Sequence, residues 1–117
     1  MNGARAHRVL HVFYRDYINA VIISSAQPEA LQANRIVPLA DRLLVPGDNF
    51  LGVVDRNDVI LQCYVADDPA DINLELVYPE GSGCLRLTLP RRQALDRLDA
   101  LPDLFDESLL KGALYID

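Results

Sequence analysis

The middle of the chain alternates. Over residues 72–78 the apolar side chains of Ile72, Leu74, Leu76 and Tyr78 are interleaved with Asn73, Glu75 and Val77, and after Pro79-Glu80-Gly81-Ser82-Gly83 the rhythm returns as Leu85, Leu87 and Leu89 between Cys84, Arg86 and Thr88. A period of two sends successive side chains to opposite faces of a strand, so this segment predicts a hairpin with one buried and one largely wet face. A second hairpin is written in residues 47–65, GDNFLGVVDRNDVILQCYV, where residues 50–54 and 59–65 flank Asp55-Arg56-Asn57-Asp58. Asp and Asn tolerate the tight or left-handed backbone of a hairpin loop. Both of its strands are apolar on both faces over much of their length, which predicts central strands covered on each side. The period then changes. Ala94, Leu95, Leu98 and Leu101 form one stripe of a helix over residues 90–101, opened by Pro90 and ended by Pro102, and that apolar stripe is the natural cover for the second ribbon.

The flanks carry weaker patterns. A short helix over 107–111 would take Asp106 as N-cap and stop at Gly112, leaving 113–116 as a closing strand. Residues 9–14 and 17–24 are rich in β-branched and aromatic side chains and are split by Arg15-Asp16, which predicts another hairpin, with a single amphipathic helix over 9–23 as the competing reading. Residues 28–34 read as a short helix entered at Pro28, and 36–45, with Pro38 inside it, fits strand, turn or helix. There is no internal repeat and no long linker. The expectation is a single α+β domain spanning 1–117, an antiparallel β-sheet built from hairpins with one or two helices packed on one face.

Composition narrows the partners. Half of the 117 residues are hydrophobic and 24% are charged, as in a soluble globular protein. The net charge of −6 repels phosphate backbones, so nucleic acid is not an expected partner; the ordinary reading of the excess is solubility, and the sharper one is attraction to a basic partner protein. The longest apolar run, 18–23 broken by Asn19, is far below the ~20 residues of a membrane span, so no membrane partner is expected. Arg5 and Arg8 followed by apolar residues and Ser24-Ser25-Ala26 resemble a secretory leader, but Arg15 and Asp16 interrupt the apolar stretch, and the expected location is cytoplasmic. Two cysteines, Cys63 and Cys84, make no disulfide scaffold and are expected to be reduced.

Candidate chemistry is sparse. His7 and His11 stand four apart in HRVLH, a zinc-binding spacing on a helix, but Arg8 occupies the place of a protease glutamate, and on a strand the two would be ~13 Å apart. Cys63 lies within a strand pattern beside Leu61 and Val65 and reads as core. Cys84, just after a glycine loop, is the more accessible thiol, with no base or CxxC partner placed beside it. Asp67, Asp68 and Asp71 in VADDPADIN lack the alternation of a calcium loop and read as a connector. Asp48, Asn49, Asp55 and Asp58 fit turn and cap roles, and Gly81 and Gly83 precede a strand, which rules against a phosphate loop. Arg91 and Arg92 begin a helix, where the dipole disfavours cations, so they mark a contact or point to solvent. No cofactor or metal is called for. The expected binding surface is acidic, formed by Asp55, Asp58, Asp67, Asp68 and Asp71.

The succession FLGVVDRNDVILQCYV, INLELVY, CLRLTL and PRRQALDRLDAL resembles the layout of small immunity proteins of bacterial polymorphic toxin systems over residues 49–101. There an aromatic-aliphatic strand runs into an acidic turn and then a short strand carrying Leu-Gln, here Leu61-Gln62. The resemblance implies a non-enzymatic inhibitor that binds and blocks a partner toxin, and it assigns no contact residues. Two other classes compete with it. One is a homo-oligomer joined through edge strands or apolar faces. The other is an enzyme or ligand carrier using Cys84, His7, His11 and Tyr14.

Overall fold

A computed structural model describes residues 8–117. Its strands are β1 (Val9–Asp16), β2 (Val21–Ile23), β3 (Glu29–Gln32), β4 (Phe50–Val54), β5 (Ile60–Val65), β6 (Asp71–Val77), β7 (Cys84–Pro90) and β8 (Leu114–Ile116), with helices α1 (Ile36–Leu43) and α2 (Arg91–Asp99). Every pairing is antiparallel, in the order β2-β1-β4-β5-β6-β7-β8, and β3 pairs with β1 beside β2. The fold is α+β. No helix among the described residues is long and apolar enough to cross a membrane.

Alternation decides which side of the sheet is core. Leu10 and Val12 of β1, Leu51 and Val53 of β4, Leu61 and Cys63 of β5, and Ile72, Leu74 and Leu76 of β6 are all buried. Directly paired residues share a face, and the register sets Val12 opposite Val53, Val53 opposite Leu61, and Leu61 opposite Leu76. Both helices lie on this side, α1 burying Ile36, Leu39, Ala40 and Leu43, and α2 burying Ala94 and Leu98 over β6 and β7. Pro38 is harmless as the third residue of α1, because the first-turn N–H groups have no intrahelical acceptor. Arg91 ties the two helices together, donating to the carbonyls of Leu44 and Asp41 and to the Asp41 carboxylate. It is a clamp within the fold and not an outward contact.

Three expectations need correction. Residues 28–34 are not a helix: after Pro28 the chain forms β3, with Leu31 opposite Leu10, followed by a 3₁₀ turn at Ala33–Arg35. The free edge of β1 offers a hydrogen-bonding ladder that outweighs local helix preference. The N-terminal hairpin exists, but β1 continues through Arg15 and Asp16 and the turn falls at residues 17–20. Asp16 sets that turn by accepting from Ile18 N (3.0 Å), Asn19 N (3.1 Å) and Asn19 Nδ2 (2.8 Å). Finally, β4 and β5 are central, yet the helices cover only one of their faces.

Candidate functional site

The other face of the sheet bears no helix among the described residues, and the register lays its side chains out in rows. One row is apolar, with Val54, Ile60 and Val77 side by side and His11 at the β1 end. The next runs Phe13, Gly52, Gln62, Glu75, Arg86 and Leu114. Gly52 is flat for a reason. A Cβ there would collide with Cζ, Cε1 and Cε2 of Phe13, whose ring lies against the glycine and meets Phe50 edge-on at 6.3 Å.

At the middle of this face sits Glu75. Strand alternation predicts it wet, but it is only 5% exposed, because its neighbours close over it in place of a helix. Its carboxylate accepts from Gln62 Nε2 (2.7 Å), Tyr64 OH (2.6 Å) and Arg86 Nε (2.7 Å), and Arg86 Nη2 adds an ion pair at 2.7 Å. Burial alone would raise the carboxyl pKa, but the hydrogen bonds from Tyr64, Gln62 and Arg86 together with the guanidinium charge prevail and hold it below the ordinary range. Burial, and then donation to Glu75, which needs the neutral phenol, push Tyr64 up to about 12. The Cys84 thiol is raised by burial and by the Glu75 charge, and Cys63, wholly enclosed, is raised by burial and then by the same charge. Neither sulfur is prepared as a thiolate nucleophile.

The reactive set read from the sequence does not converge. His11 is four strands from Cys84, ~19 Å at the usual strand spacing. Tyr14 lies on the helix side, opposite Leu51, and His7 lies outside the described residues. The five acidic residues separate as well. Asp55 is 7% exposed and holds the fold, accepting from Asn57 N (2.8 Å), Val59 N (3.0 Å) and, from a distant segment, Phe105 N (2.7 Å). Asp58 is exposed in the same turn, whereas Asp67 and Asp68 are exposed, and Asp71 half-buried, at the other end of β5. Those ends are ~20 Å apart, so the aspartates form two rims and no single patch.

Two further features border the open face. Gly47, Asp48, Asn49, Phe50, Gln62 and Tyr64 enclose a 280 Å³ depression next to the Glu75 network. Asn49 is pinned there, accepting from Tyr17 N (2.7 Å) and donating to Leu43 O (3.0 Å) and Asp16 Oδ1 (3.2 Å). Beyond Phe50, Arg15 stacks on Tyr17 at 4.5 Å, and the β1–β2 hairpin shows Tyr17 (51%), Ile18 (70%) and Ile22 (58%) to solvent. Gln62, Tyr64 and Arg86 escape a reading of the sequence, since only strand register reveals that they meet at Glu75. Scans against protein-family models, curated proteins and solved structures find no match to this chain.

Proposed function

We propose that this chain is a non-enzymatic protein-binding domain that docks a basic partner on the open face of its sheet, as an immunity-like inhibitor would dock a toxin. The observation that carries the reading is the depression beside Glu75. It offers an exposed carboxylate on Asp48, two aromatic rings on Phe50 and Tyr64, and the amide of Gln62, which is the chemistry that receives a lysine or arginine side chain. The network around it is pre-ordered, so little side-chain entropy is lost on docking. The acidic rims at Asp58 and at Asp67 and Asp68 steer approach, consistent with the net charge of −6.

Size supports including the hairpin. Strand spacing and pleat repeat give the open face roughly 500 Å², short of the about 800 Å² per partner of a standard interface. Tyr17, Ile18 and Ile22 extend the same surface and supply the shortfall.

The test is binding to the products of reading frames adjacent to this gene, measured by calorimetry with Asp48→Lys, Tyr64→Ala and Ile18→Asp variants. Affinity that falls with added salt and drops about tenfold or more for Asp48→Lys supports the proposal. Association indifferent to salt and to all three changes refutes it. A concentration-dependent dimer abolished by Ile18→Asp would instead assign the surface to self-association.

A further inference from the structure

On the opposite, helix-covered side, a cleft of 540 Å³ runs between α1 and the β1–β3 edge. Its lining is mixed: Val12, Leu31 and Leu39 supply apolar surface, and Arg35, Arg42 and Glu29 supply charge. Arg35 and Arg42 are seven residues apart, two turns of helix, so both project along one side of α1 about 10 Å apart. Four other arginines are ion-paired, Arg8 with Asp103, Arg86 with Glu75, Arg91 with Asp41 and Arg92 with Asp96, whereas Arg15 stacks on Tyr17, Arg97 donates to Leu109 O and Arg56 has no carboxylate within ion-pair distance among the described residues. Arg35 and Arg42 likewise have no carboxylate within ion-pair distance among the described residues, and they are the two arginines that line one cleft. Arg35 also stands at the N-terminus of α1, where the helix dipole opposes a cation. Two cations without carboxylate partners that line one cleft, one of them set against the helix dipole, form a place for a ligand's negative charge.

We propose that this cleft binds an amphipathic organic carboxylate, its apolar body on Val12, Leu31 and Leu39 and its carboxylate between Arg35 and Arg42. Glu29 leaves the lining with one net positive charge, so a monoanion is matched and a second negative charge is opposed. The volume lies within the range of small-molecule sites. The ligand is received on the side of the sheet away from the protein-docking face, so this site stands or falls independently of the proposed partner.

The experiment is a two-dimensional amide NMR titration of the intact protein with 4-phenylbutyrate, using 4-phenylbutan-1-ol as a neutral isostere. Saturable shifts confined to α1, β3 and the facing part of β1 are expected, with the alcohol and the Arg35→Gln/Arg42→Gln double variant each binding about tenfold more weakly. Glu29→Gln should tighten binding by about twofold to threefold. Both arginines are exposed, and circular dichroism of the double variant checks that its fold is intact. Equal affinity for acid and alcohol, an unaltered affinity in the folded double variant, shifts located on the open face, or no binding up to about 10 mM each overturns the proposal.

Discussion

Gly52→Ala tests the packing of the open face. Residue 52 lies in the middle of β4 with no positive φ, so alanine is acceptable to the backbone and by strand propensity alone would be neutral or mildly stabilising. The obstacle is Phe13. Its Cζ, Cε1 and Cε2 are the three atoms nearest to where the new methyl would lie, and restoring carbon–carbon contact near 3.5 Å requires the ring to withdraw by about an ångström or more. Phe13 is 7% exposed and packed against Phe50, so the ring has little room and the change should cost about 2–3 kcal/mol. For a chain of this length that corresponds to a fall in Tm of roughly 8–12 °C. Phe13→Ala alone removes a nearly buried ring and should cost about 3–4 kcal/mol. In Gly52→Ala/Phe13→Ala the clash is gone, so urea denaturation should show a double-mutant loss smaller than the sum by at least about 1 kcal/mol. A Gly52→Ala protein within about 0.5 kcal/mol of wild type, or strictly additive single changes, would refute this account of the face.

Glu75→Ala leaves Tyr64, Gln62 and Arg86 without their shared acceptor and should destabilise by about 2 kcal/mol, below the cost of breaking a fully buried pair because the half-buried Arg86 still reaches water, as read from chemical denaturation. The depressed Glu75 pKa gives stability that is fully present above the ordinary glutamate value of 4.5 and is lost as pH falls through the lower folded-state value. Glu75→Gln should therefore flatten that part of the acid limb of a Tm-versus-pH curve. Arg91→Ala removes the clamp between α1 and α2 and should cost about 1–2 kcal/mol by thermal melting. In a thiol-labelling time course at pH 8, Cys84 should react more slowly than a free cysteine, and Cys63 only on unfolding.

Legibility in the sequence follows the range of the interaction that decides each element. Strands β4 to β7 and helix α2 were readable because their own alternation or stripe specifies which side is buried, as Leu74 and Leu76 or Ala94 and Leu98 show. Segment β3 was not, because its state is set by β1, a partner about twenty residues away that periodicity does not point to. The site behaves in the same way. Glu75 looks like an ordinary wet position until register brings Gln62, Tyr64 and Arg86 around it. Asp55 and Asp58 share one turn and look equivalent, yet Phe105 N reaches the first and leaves the second exposed. Turn chemistry was legible, but which aspartate is drawn inward depends on a segment fifty residues on.

The outer neighbour of β1 is broken. Strands β2 and β3 occupy that position in runs of three and four residues, separated by residues 24–28, where Pro28 has no N–H to offer, and the far margin at β8 is three residues long. A stray chain attempting to zip alongside would find a few rungs and then a gap. Lateral growth into fibrils is thereby starved at both margins, even though the β1–β2 hairpin shows Ile18 and Ile22 to solvent.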